Sequence, residues 1–425
     1  INENSSYTVI VRGLIDPENP SLGYTDVDLR PYLDASTTAR NFSGRFVSYE
    51  EYMNSNTEGL VTAGKEVFDG PYIIGGTAGE NVGIILDQPI FETVDYGFEM
   101  SNLNIYYTNS GNVSTTSYTS LLVARTATNG YFHELDIHLN NPLTLQADSY
   151  GMAGLLTAES ISTDFVDINI IFRRANLNDN SVDLTFIDSD AERLNGGSQY
   201  FGILSGRMLQ NSVYKAMTIS NINFAVEQKR TSSQQSGGGT ATQNSNINFN
   251  FVKQTDNSYD LYFGLLSGDS SVEAGSNPSR FRMTSLNRYQ GNNYNINITF
   301  TKNDSLSGDQ NINNAYIGSY FGRANFGYIE GVLGDDNYPL NNITITQNLP
   351  VTTEYIGLGF GRLVGNGSMN ITKDSDAVVN FVAKGSVVQE GTVETAYIGG
   401  LIGQAEMNLS IDSNIETGLS LAGAE

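Results

Sequence analysis

Two hydrophobic patterns take turns along this chain. The first alternates polar and apolar residues with period two, as in Asn246-Ile247-Asn248-Phe249-Asn250-Phe251, Asn295-Ile296-Asn297-Ile298-Thr299-Phe300 and Asn342-Ile343-Thr344-Ile345. Such alternation turns one face to a core and the other to water, as a half-buried strand does. Shorter runs of similar character recur at Ala216-Met217-Thr218-Ile219, Arg282-Met283-Thr284, Ser368-Met369-Asn370-Ile371-Thr372 and Glu406-Met407-Asn408-Leu409-Ser410. The second pattern is apolar throughout and punctuated by glycine, as expected of a more deeply buried strand. Its full copies are Tyr200-Phe201-Gly202-Ile203-Leu204-Ser205-Gly206, Tyr262-Phe263-Gly264-Leu265-Leu266-Ser267-Gly268 and Tyr397-Ile398-Gly399-Gly400-Leu401-Ile402-Gly403. Tyr316-Ile317-Gly318 running on to Phe321-Gly322, and Tyr355-Ile356-Gly357 running on to Phe360-Gly361, belong to the same series.

Weaker copies lie upstream: Met152–Ala158, Tyr118–Ala124 and, marginally, Val82–Leu86. The key small residues stand at 83, 120, 154, 202, 264, 318, 357 and 399, at spacings from 34 to 62 residues. A fixed motif at irregular spacing predicts coils of a solenoid separated by variable loops. Three strands per unit fit one coil of a triangular parallel β-helix. The expected fold is all-β, a parallel β-helix or β-solenoid with irregular coils, over residues 81–425. The polar run Arg230–Ser245 reads as a flexible excursion, and 305–314 and 333–341 as loops. Residues 1–80 lack the motif and are expected to form an N-terminal cap or an assembly segment. Within them Tyr7–Val11 reads as a strand and Ser48–Asn54 as a short helix.

The run Tyr397–Gly403 resembles the Gly-Leu-apolar-Gly repeats of large bacterial surface adhesins, the GLUG-type repeats. The likeness extends over roughly residues 115–415. Copies such as Leu358-Gly359-Phe360-Gly361 and Ile203-Leu204-Ser205-Gly206 keep only part of it. The resemblance implies a right-handed parallel β-helix, a surface location and a role in adhesion or assembly. It implies no catalytic residue.

Composition narrows the classes. The net charge of −24 repels phosphate backbones and anionic lipid, which speaks against nucleic-acid and membrane-surface partners. There is no cysteine, which excludes disulfides and thiolate metal sites. No apolar run approaches the ~20 residues of a spanning helix. The first residue is Ile1, as expected either of a cleaved precursor or of an artificially trimmed chain. Tyrosine, with 24 copies, suits half-buried positions on a sheet.

Candidate chemistry is sparse. The two histidines stand in Phe132-His133-Glu134-Leu135-Asp136-Ile137-His138, where an unbroken strand puts Glu134, Asp136 and His138 on one face and His133 inward or in a loop. Asp188, Asp190 and Glu192 alternate carboxylates in an expected turn and are the candidate ligands for a metal, calcium being the cation that favours such oxygens. The EF-hand pattern is absent. Asn297, Asn342, Asn370 and Asn408 begin Asn-x-Ser/Thr sequons and are glycosylation candidates. No residue is marked as catalytic, and no cofactor is called for. The expectation is a non-enzymatic, exported structural or adhesive repeat protein at the cell surface or outside the cell. Its partners would be further copies joined head to tail, forming an extracellular filament, or a glycan or other surface ligand. The alternatives are a secreted β-helix lyase or hydrolase acting on polysaccharide, or a non-catalytic glycan-binding module.

Overall fold

The computed structural model describes residues 7–11, 14–15, 24–33, 41–42, 44–48, 72–74, 83–109, 111–113, 119–126, 129–174, 179–189, 197–210, 217–227, 245–272, 280–283, 294–306, 311–325, 328–333, 343–364, 368–373, 380–381, 385–400, 402–406, 408–411 and 416–417. Among these the chain is nearly all strand, with one short 3-10 turn at Arg30–Tyr32. Four large sheets, here numbered I to IV, hold 13, 7, 6 and 9 of the described strands. The chain visits them in fixed order: Tyr131–Asn140 lies in I, Leu143–Gln146 in II, Met152–Gly154 in III and Thr157–Ile161 in IV. It then returns to I as Asp164–Arg173, parallel to Tyr131–Asn140. The order holds through every later circuit to Asn408–Ile411 in sheet I. Each strand pairs in parallel with its equivalent one circuit on, an order compatible with a parallel β-helix.

A circuit therefore has four strands, where three were expected. The Gly motif is two short strands folded across a corner between sheets III and IV. Ser198–Gly202 ends in III and Ser205–Gln210 begins in IV, with Ile203-Leu204 at the bend. Glycine makes this corner possible. A Cβ on Gly264 would lie 2.6 Å from the Tyr320 carbonyl oxygen, and one on Gly268 would lie 2.8 Å from the Phe201 backbone nitrogen. The period-two segments fall where their pattern places them, at Ser245–Lys253, Tyr294–Lys302 and Ile343–Gln347 in sheet II. The Met-containing runs lie in sheet I. The marginal copy at Val82–Leu86 does not belong to the series: Ile84–Leu86 pairs with Ile105–Tyr107 in sheet I. Its apolar-Gly-apolar composition is too common to specify the corner. Segments of the first 80 residues add to the same sheet, with Tyr7–Val11 pairing Gly44–Ser48, which pairs Glu99–Ser101. The helix expected from Ser48 falls mostly outside the described residues.

The long strands of sheet I carry a shared bend. Asn102, Glu134, Asp167 and Asn221 form one column, with φ of 51°, 53°, 55° and 54°. Each steps out of the ladder between ordinary pairs such as Ser101↔His133 and Leu103↔Leu135. Asn and Asp tolerate this left-handed conformation better than Glu.

One contiguous apolar core runs from Val27 to Leu363. Equivalent side chains stack on successive rungs, as with Phe132 over Phe165, 5.4 Å apart and 3° from parallel. In sheet II the inward column Leu145, Phe186, Phe251, Phe300 is followed on the next rung by a polar residue, the fully buried Gln347.

Candidate functional site

The corner between sheets III and IV carries the most organised set of polar and aromatic side chains. Its first component is a stack of five tyrosines, one from each successive copy of the motif. Tyr200, Tyr262, Tyr316, Tyr355 and Tyr397 follow one another at centroid separations of 4.8, 4.7, 4.9 and 5.1 Å, with adjacent rings within 13° of parallel. In-register parallel pairing imposes this, because rungs ~4.8 Å apart set equivalent residues one above the other. Met152, which pairs with Tyr200, continues the column downward. Met152, Ala158 and the first four tyrosines form a second apolar cluster, separate from the main core.

The second component is a ladder of charges in sheet IV. Arg125, Glu159, Arg207, Asp269, Arg323, Arg362 and Gln404 occupy one column. Glu159 takes Arg125 at 2.8 Å and lies 4.0 Å from Arg207. Asp269, with no exposed side-chain surface, lies 3.7 Å from Arg207 and accepts two hydrogen bonds from Arg323 at 2.8 and 3.1 Å. Arg362 pairs with Glu406. The guanidiniums also lie over the tyrosine faces: Arg207 5.3 Å from the Tyr200 centroid, Arg323 4.7 Å from Tyr262 and Arg362 5.0 Å from Tyr355. Such contacts add ~0.5–2 kcal/mol each, more where water is excluded. Burial raises the phenol pKa of Tyr200, Tyr262 and Tyr316, so the rings stay neutral beneath their cations. The result is a filled seam of stacked rings and ion pairs, in which Arg207 Nε, Arg362 Nε and Gln404 Oε1 have no hydrogen-bond partner. Its chemistry is that of a brace.

The charge column escaped the sequence reading. Its members stand one residue beyond the last small residue of each motif copy, and the signal was an ionisable residue at that fixed offset in six copies. Because its sign varies from copy to copy, the position does not resemble a repeat.

The expected candidates are scattered. Asp188 is buried at the end of Ser181–Ile187, where it accepts from the Gln254 N–H at 2.5 Å, the Thr255 N–H and Oγ1 at 3.3 and 2.6 Å, and the Tyr259 hydroxyl at 2.8 Å. It thus ties one rung's corner to the next. Asp190 and Glu192 lie outside the described residues. One rung below, Asp148 accepts from the N–H groups of Thr119, Tyr150 and Met152. Burial nevertheless pushes its carboxyl up to about 7. Among the described residues no group of three or more His, Asp or Glu is arranged to hold a metal ion.

The bend at Glu134 upsets the expected face. His133 is not inward: it hydrogen-bonds Glu99 at 3.2 Å and stacks on Tyr131. Arg45 reaches the same carboxylate at 2.6 Å. Burial disfavours the Glu99 charge, but hydrogen bonds from His133 and Arg45 outweigh it and hold the carboxyl at about 2. His138 stacks on Tyr106, 4.6 Å away, and Asp136 accepts from Asn169 at 2.5 Å.

Of the sequon asparagines, Asn297 is half-buried in sheet II and donates its Nδ2 to Asn248 at 2.8 Å. Asn370 and Asn408 lie in strands of sheet I. Asn342 falls outside the described residues.

In the core near the tyrosine seam, the fully buried Glu354 accepts from Gln347 Nε2 at 2.9 Å, while its other oxygen has no hydrogen-bond partner. Burial raises its carboxyl to about 7, against the opposing hydrogen bond from Gln347. No protein-family model, curated protein or solved structure matches this chain.

Proposed function

We propose that this chain is a parallel β-helix serving as a structural or adhesive repeat protein, exported to the cell surface and able to build an extracellular filament. The observation that carries the reading is the seam itself. Five tyrosines and a column of six charges are spent on bracing successive rungs to one another, which makes the molecule stiff along its axis. In the seam the carboxylates Glu159, Asp269 and Glu406 are each paired with arginine, which supports a non-catalytic reading. The Gly-containing corner and its likeness to adhesin repeats agree with a surface role.

Head-to-tail contact between copies is part of the proposal. Tyr397 and Ile398 are 40% and 46% exposed, although their counterparts Tyr355 and Ile356, one rung below, are 9% and 0% exposed. The repeat of such a contact is heterologous, so it generates a fibre wherever the rotation does not close. Negative-stain electron microscopy with size-exclusion chromatography tests it. Fibres, weakened by Tyr397→Asp, are expected. Particles that stay single at high concentration would end the filament reading.

A further inference from the structure

The outward face of sheet II differs from every other charged or aromatic surface of the described protein. Thr185, Asn250, Thr299 and Thr346 form one column on it, each half-exposed. Two residues along the strands runs a second column, Asp183, Asn248 and Asn297, locked by amide hydrogen bonds of 2.8 Å from Asn248 to Asp183 and from Asn297 to Asn248. Rungs ~4.8 Å apart and alternate residues ~6.6 Å apart make this a regular grid of hydroxyls, methyls and amides. Asp183 is the one charged residue in these two columns, with the exposed Lys302 at the end of the strand Tyr294–Lys302, on a chain of net charge −24.

We infer that this face binds a neutral, linear polysaccharide lying along the axis, one sugar to a rung. The inference rests on the adhesive side of the proposed function and names its ligand class. Three features of the grid select that ligand. Two columns without a basic residue, on an acidic protein, disfavour anionic polymers and match an uncharged one. Each bridging amide commits one N–H or one lone pair to its neighbour and keeps the other for a sugar hydroxyl. Threonine methyls beside those amides receive the C–H faces of pyranose rings. Because the ladder fixes the amides before binding, little side-chain freedom is lost on contact, which favours affinity. An extended polymer also repeats its hydroxyls at every sugar, so one modest contact per rung multiplies along the face.

The test is retention of the full chain on cellulose, chitin and insoluble β-1,3-glucan, with polygalacturonate as the anionic probe. Retention on at least one neutral polymer, absent on polygalacturonate, is expected. The double variant Asn250→Lys/Thr299→Lys should lower it at least tenfold, and so should the single variant Thr346→Glu, which keeps the test intact if the double variant misfolds. Tyr96→Lys, at a residue 71% exposed and away from this face, should bind as the parent does. The inference is overturned by no retention on any of the three, by retention unchanged in a folded face variant, or by concentration-dependent pairing of copies that the face variants abolish. Fibres seen without retention would leave the structural reading standing and remove this one.

Discussion

Tyr316 and Tyr355 lie 4.9 Å apart and 3° from parallel, set one above the other by the register of their strands. Each ring is the floor for the next, so removing one opens a gap in the middle of the stack. Tyr316→Ala should destabilise by ~3–5 kcal/mol, the range for deleting a buried aromatic side chain. Tyr316→Phe keeps the ring and should cost ~0.5–1.5 kcal/mol, the net worth of a hydrogen bond. Denaturant midpoints of the two variants separate ring from hydroxyl; equal losses would show that stacking is not what the position contributes.

The ion ladder holds a deep pair and a shallow one. Asp269 is fully buried between Arg207 and Arg323, whereas Glu406 leaves 47% of its side chain exposed beside Arg362. Asp269→Ala strands two guanidiniums and should cost ~3–5 kcal/mol. Glu406→Ala should cost under ~1 kcal/mol, and added salt should erase that cost. Unfolding at low and high ionic strength checks both, the deep variant keeping its deficit in salt.

These two features mark how far the sequence could be read. The tyrosines repeat as tyrosines, so their column was legible, and Asn246 to Phe251 announced an outward and an inward face by simple alternation. The fold of the motif at Gly202 was not legible. Two strands joined by Ile203-Leu204 give one uninterrupted apolar run, and hydrophobicity alone does not mark a corner inside it. The charge column was hidden because Arg207, Asp269 and Arg323 share a place but not a sign. Gln347 and Glu354 were hidden for the opposite reason: they occupy inward positions where the pattern predicts apolar side chains.

Glu134 sits at φ 53° in a column otherwise made of Asn102, Asp167 and Asn221. A left-handed backbone costs an ordinary L-residue ~1–2 kcal/mol, and Asn less. The Glu134 side chain is exposed, so its replacement disturbs no packing. Glu134→Asn should therefore stabilise the protein by up to ~1 kcal/mol, seen as a higher thermal midpoint. A lower midpoint would mean that the carboxylate has a favourable role at the surface.

The buried Glu354 makes stability depend on pH in a definite direction. Its folded-state pKa, about 7, lies above its ordinary 4.5. Between those values the native state holds a proton that the unfolded chain has released, so this contribution is complete below about pH 4.5 and is lost as pH rises through about 7. Asp148, also raised to about 7, acts in the same direction, while Glu99, lowered to about 2, stabilises above its ordinary value and loses that effect only in strong acid. Glu354→Gln removes the proton without removing the hydrogen-bonding oxygen facing Gln347. Thermal midpoints measured from pH 4 to 8 should fall less steeply in the variant than in the parent, with the variant ahead at pH 8. Parallel profiles would mean that Glu354 titrates in the folded protein as it does in the unfolded chain, so that its burial does not raise its pKa.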